Sequence, residues 1–359
     1  MASDFSGSHA ATSDTAMAVG SDYERSNVHR ARRTLGMMFL VCAAFVFTLT
    51  GCDSEGMLTA DSSERDTALR ILRVDSPMLA FADVDDQIDV ARQMMGRDAQ
   101  QQAMMEEGLN QVFEMTGIRV DEDVHAVYMG LTGFSNDAEG GMVAFVDFDQ
   151  EAVADQAASM DGVVRFDTDW PVDAYSLAGQ EGNAAVAFAE GSLVLLASGR
   201  DHLETMLERA YEEGGSVQTD GMLAQVADRN SWMIVRNIGD YTNEIPQSDL
   251  GTELAMVLPL LTSLEDVAVG MNQDAETMAA KAIIRPNNSV SVDDYANLLS
   301  GVRAMMRLQF RDLDVATEMI DEINIDAEEE WVSLSFEVDR EDMERLSEEL
   351  REEMGARFN

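Results

Sequence analysis

One order of elements is written twice in this chain. Glu122-Asp123-Val124 opens a largely apolar run that reaches Leu131, and Glu265-Asp266-Val267 opens another that reaches Met271. Each run reads as the first strand of a hairpin, with second strands at Met142–Phe148 and Met278–Ile284. An amphipathic helical stretch follows each hairpin, Gln150–Met160 in one half and Val292–Gln309 in the other. Each half then ends on a strand that runs into a helix. Ser198-Gly199-Arg200-Asp201-His202 marks this junction first, and Val338-Asp339-Arg340-Glu341-Asp342 marks it again. The repeat is a domain-sized duplication rather than a solenoid. It predicts an α+β fold of two tandem duplicated units, 75–230 and 231–359, each a mainly antiparallel sheet with helices on one face.

Periodicity fills in the rest. Met78–Val84, Val163–Phe166, Ala174–Ala178, Ala184–Ala189, Leu193–Ser198 and Trp232–Val235 read as strands. Leu203, Met206, Leu207, Ala210 and Tyr211 share one face of a helix over Arg200–Glu213. Tyr295, Leu298, Leu299, Val302, Met305 and Met306 are assigned to one face of the second-half helix, and Ala316, Met319, Ile320 and Ile323 mark a further one. Asp86–Met115 reads as helix broken near Gly96 and Gly108, and Glu253–Leu264 as another helix. Val332, Leu334, Phe336 and Val338 alternate with polar residues, so that strand has one wet face. The first part of the shared order, βαββαβ, is the ferredoxin-like arrangement. The whole pattern is similar to exported bacterial proteins of unknown function built from two such halves.

The N-terminus has a different grammar. Arg30, Arg32 and Arg33 precede an apolar run from Leu35 to Leu49, which ends in Leu49-Thr50-Gly51-Cys52. A basic region, an apolar region and small residues before a cysteine are the parts of an export signal. The run is short for a membrane span, which needs about 20 apolar residues. Its ending resembles the lipobox of bacterial lipoproteins. That resemblance implies cleavage between Gly51 and Cys52 and acylation (diacylglyceryl, palmitate-type) of Cys52. The expected organisation is a signal peptide over 1–51 and an acylated cysteine with a polar tether over 52–74. The body would sit in the periplasm, tied to the inner or outer membrane through Cys52. Cys42 leaves with the signal, so Cys52 is the sole cysteine of the mature chain and no intrachain disulfide is available.

Charge excludes one class of partner. The chain holds 68 acidic and 24 basic residues, a net charge of −44, and Lys281 is its only lysine. Nucleic-acid binding needs clustered lysine and arginine against phosphate, so it is not predicted. The composition resembles that of salt-adapted organisms, because about 1 M salt shortens the screening length to about 3 Å and relieves such self-repulsion. A surface for a cationic partner is the other reading.

Catalytic signatures are sparse. The body holds two histidines, His125 on a strand and His202 in the first turn of a helix, both read as surface or edge residues without a nucleophile beside them. Zinc needs several histidines or cysteines at fixed spacing. The clusters Asp83-Asp85-Asp86-Asp89, Asp121-Glu122-Asp123, Asp147-Asp149-Glu151, Asp167-Asp169 and Asp326-Glu328-Glu329-Glu330 do not fit the calcium-loop pattern of glycine at position six and glutamate at twelve. They read as solvated faces. The methionine pairs, Met305-Met306 among them, read as core filler or as an adaptable groove. The expectation is a lipid-anchored envelope protein with a binding, accessory or structural role, no catalytic residue, no metal and no cofactor. Its partners are the membrane, through Cys52, and an envelope protein. The rival is an envelope enzyme using a divalent cation on clustered carboxylates.

Overall fold

The computed structural model describes residues 62–349, apart from 86, 89–91, 93–98, 134–137, 161, 180–181, 190–191, 213–216, 220, 240–261, 274–275, 312, 344 and 347–348. The signal region, Gly51, Cys52 and the helix expected at Glu253–Leu264 lie outside the described residues, except that Leu264 opens a strand.

The helices are α1 (Ser62–Leu72), α2 (Ala99–Thr116), α3 (Val120–Asp123), α4 (Gln150–Ser159), α5 (Arg200–Tyr211), α6 (Gly221–Ala224), α7 (Val292–Gln309) and α8 (Asp314–Glu322). The strands are β1 (Met78–Asp83), β2 (Val124–Leu131), β3 (Gly140–Val146), β4 (Val163–Phe166), β5 (Asp173–Gly179), β6 (Gly182–Ala189), β7 (Leu193–Ala197), β8 (Ser231–Val235), β9 (Leu264–Gln273), β10 (Thr277–Pro286), β11 (Asn324–Ala327) and β12 (Val332–Asp339). The fold is α+β, built on a large antiparallel sheet.

The two expected units share one 12-stranded sheet, ordered β11-β12-β10-β9-β8-β1-β2-β3-β7-β6-β5-β4. Every neighbouring pair is antiparallel. β1 and β8 join the halves at the centre, with Ala80 opposite Met233. On one side the sheet continues β1-β2-β3-β7, and on the other β8-β9-β10-β12. The ferredoxin-like order is not formed. A βαβ crossover returns a strand parallel to the first, whereas β1 pairs directly and antiparallel with β2, Ala80 opposite Met129.

Helices cover both faces rather than one. The reason is legible in β1 and β3, whose residues are buried almost throughout, so each strand needs cover on both sides. Under α1, α5 and α6 lies an aromatic centre of Phe81, Tyr128, Phe145 and Trp232. Phe81 and Tyr128 have ring centroids 4.7 Å apart, and Tyr128 meets Phe145 edge-on at 6.1 Å. The opposite face holds Ala144, Val146, Val153, Tyr175 and Phe188 beneath α4. Farther along, Leu264, Tyr295, Leu299 and Val332 form a third cluster beneath α7.

The fold begins earlier than the expected tether of 52–74 allows. α1 falls inside that stretch, and Ala68, Leu69 and Ile71 on it are fully buried. Charged residues spaced around these three hide the apolar face from a simple count. Gly108 does not break α2, because a lone glycine costs a helix only about 1 kcal/mol.

Candidate functional site

The sheet register collects three of the acidic clusters at one rim. The C-terminal end of β1, the start of β2 and the end of β3 are neighbours, with Asp83 opposite Ala126 and Val124 opposite Val146. His125 sits at their centre, half-exposed. Its Nδ1 is 3.3 Å from Asp85 Oδ2, and its Nε2 is 3.1 Å from Asp147 Oδ2. Burial opposes the imidazolium, but the hydrogen bonds and charges of Asp147 and Asp85 together raise the His125 pKa.

This arrangement ties the ends of β1, β2 and β3 together. Each ring nitrogen faces a carboxylate, so both contacts are satisfied as donors only by the imidazolium. Ser192 Oγ donates to Asp147 Oδ1 at 3.3 Å, not to the imidazole, so the histidine does not activate that hydroxyl. The same geometry disfavours a cation, since Asp85 and Asp147 lie off opposite nitrogens and cannot converge with the ring on one ion. Nearby acids have other partners. Asp149 caps α4 by accepting from the Glu151 and Ala152 N–H groups, Asp123 accepts from the Arg119 N–H, and Asp121 pairs closely with Arg92. Among the described residues no group of three or more His, Cys, Asp or Glu side chains is placed to hold a metal.

His202 corrects the surface reading. It is buried on α5, with Nδ1 3.0 Å from Glu139 Oε2. Its ring lies over Gly141, where an added Cβ would come within 3.2 Å of Nε2 and 2.9 Å of Met206 Sδ. The glycine is there because the histidine and methionine fill its side-chain space. His202 thus ties α5 to the start of β3.

A polar cleft of about 360 Å³ opens beside Asp167, between the start of α4 and the β4–β5 loop. Its charged groups bind one another. Arg165 meets Asp173 at 2.5 Å, and Gln150 donates to the other Asp173 oxygen at 3.0 Å. The last cluster, Asp326 to Glu330, is exposed at the β11–β12 turn.

No family model matches the chain, and no curated protein matches it. Among solved structures, crystal form III of TP0453 aligns with a TM-score of 0.46 and 10% identity, over 77% of this chain and 95% of that one. Crystal form IV of TP0453 gives 0.45 and 11% over 75% and 92%. Crystal form I gives 0.39 and 10% over 78% and 95%.

A second concavity has a different character. α7 and α8 are joined by a short turn and fold back over β12, leaving a groove of about 310 Å³. Met306, Phe310, Met319, Ile323, Phe336 and Leu346 line it, and among the described residues no polar side chain does. α8 buries Val315, Ala316 and Ile320 inward and exposes Asp314, Glu318, Asp321 and Glu322 outward. The groove therefore has an apolar floor beside the acidic face of α8, where Asp321 meets Arg307 at 3.1 Å and Glu318 meets Arg345 at 3.8 Å. Sequence periodicity marked Met306 and Met319 as helix faces but not the space between them, which depends on the angle at which α8 returns. The adjacent Met305 and Met306 are split by the helix: Met306 turns to the groove, and Met305 is 64% exposed on the other side.

Proposed function

We propose that this is a lipid-anchored envelope protein with a non-catalytic binding role, and that the α7–α8–β12 groove is its binding site. The observation that carries the reading is the groove lining: among the described residues it holds six or more apolar side chains and no group able to transfer a proton or ligate an ion. Its volume suits a row of apolar side chains from a partner helix laid along it. The wall supplies the second half of the recognition. α8 carries four acidic residues and no base; Arg307 and Arg345 meet two of them, so an excess of acid remains, and the partner is a basic amphipathic helix of another envelope protein, apolar on one side and cationic beside it.

The lipid anchor is supported by Leu49-Thr50-Gly51-Cys52 and the basic and apolar stretches before it. Among the described residues no helix is long and apolar enough to cross a membrane. We read the body as two copies of one α+β unit. The matching neighbour orders β1-β2-β3-β7 and β8-β9-β10-β12, run outward from the central β1–β8 pair, support this duplication.

Calorimetric titration with a designed Leu/Lys amphipathic helical peptide tests the site. Saturable binding is expected, weakened at least tenfold by Met319→Glu in the groove, and much weaker for a Leu/Glu peptide of the same pattern. Equal binding to the wild type and Met319→Glu, or no binding to any amphipathic helix, would overturn the assignment.

A further inference from the structure

α7 carries two apolar faces. Tyr295 and Leu299 are buried against the sheet, while Leu298, Met305 and Leu308 are 47%, 64% and 71% exposed on the other side. The exposed set continues through Gly301, so Leu298, Gly301, Met305 and Leu308 fall at i, i+3, i+7 and i+10. That is the seam of a helix that packs against a second helix. The space above Gly301 is open: a Cβ placed there would meet nothing within 4 Å. The seam lies away from the groove, so the two surfaces are separate.

The charge pattern names the occupant. In a chain of net charge −44, Tyr295 to Arg311 contains no acid. Elsewhere the acidic surface opposes the meeting of two copies; here that repulsion is missing. The ends of α7 are opposite in sign, with Asp293 and Asp294 exposed in the first turn and Arg311 exposed just past the last, while Arg307 in the last turn pairs with Asp321 of α8 at 3.1 Å. We propose that a second copy of this chain docks through α7, the two helices antiparallel about a twofold axis. Leu298 of one copy then packs on Leu308 of the other, and Gly301 on Met305, a small residue against a large one. The same register sets Arg311 of each copy beside Asp294 of the other, and opposes the two helix dipoles favourably. A parallel pairing would set like charges together. The helix is about 27 Å long at 1.5 Å per residue, so the contact is narrow and the dimer is of the reversible class.

Sedimentation equilibrium of the full chain in density-matched detergent tests this. The wild type is expected to show a monomer–dimer equilibrium. Leu308→Glu and Leu298→Glu should each raise the dimer Kd at least tenfold, with unchanged circular dichroism because both sites are exposed in the monomer. Arg311→Asp should weaken the dimer at low salt, and the pair Asp294→Arg with Arg311→Asp should restore it. A wild type that stays monomeric at about 100 μM, or a dimer unmoved by both seam variants, would overturn the proposal. So would a monomer that instead floats with phosphatidylglycerol vesicles through Leu308, since the seam would then face lipid.

Discussion

Leu69→Ala should cost the fold about 3 to 4 kcal/mol. The side chain is fully buried on α1, within the cluster that also holds Leu203, Met206 and Leu207 of α5. Removing three carbons forfeits roughly 2.4 kcal/mol at about 0.8 kcal/mol per buried methylene. A residual void of roughly 50 Å³ adds about 1 kcal/mol at about 24 cal/mol per Å³. The matched control, at a concentration where the protein is monomeric, is Leu308→Ala on α7, where 71% exposure leaves little to lose and the change should stay within about 0.5 kcal/mol. Urea unfolding in molar KCl, followed by tryptophan fluorescence with m-values compared, reads both. Two variants of equal stability would refute the claim that α1 belongs to the core, and with it the start of the fold at Ser62.

Three further outcomes follow from particular contacts. His125 gains its carboxylate partners only in the fold, which raises its pKa; its tie therefore contributes fully below the unfolded value of about 6.5 and is lost as pH rises through the folded value. The wild type should lose stability relative to His125→Gln as pH climbs from 6 to 8, and parallel pH profiles would contradict this. Tyr128 has a buried hydroxyl with no hydrogen-bond partner among the described residues, and burial drives its pKa upward. Tyr128→Phe should leave stability unchanged or raise it by up to about 1 kcal/mol in the same urea assay, and a loss above that would reveal a partner. Asp149→Ala removes the α4 cap that accepts from the Glu151 and Ala152 N–H groups and should cost about 1 kcal/mol, while Asp149→Asn should cost less.

Strands were the most legible part of the fold. β2 and β9 alternate in burial although their sequences do not alternate in polarity; they were legible as short apolar runs rich in valine and bounded by acidic and turn residues. The hairpins were legible for the same reason. Strand neighbours across long connections were not: nothing local in Ala80 or Met233 specifies that they face each other at the centre of one sheet. α1 was missed because Arg65, Asp66 and Arg70 surround its three core residues. His202 was read as surface because its burial depends on Gly141, far away in sequence. The tie at His125 was half legible. Its acids stood out as clusters, but only the β1–β2–β3 register brings Asp85 and Asp147 to the same imidazole. The groove was only hinted at by the Met305-Met306 pair, since it is a gap between helices rather than a run of residues.

We propose that one acylated cysteine holds the binding body on a membrane, and intact-mass spectrometry of the protein extracted from its native membrane tests that directly. The predicted spectrum is a chain that starts at Cys52 and carries diacylglyceryl on its sulfur. A chain that starts at Cys52 with a free thiol, or one that still holds residues 1–51, would contradict it.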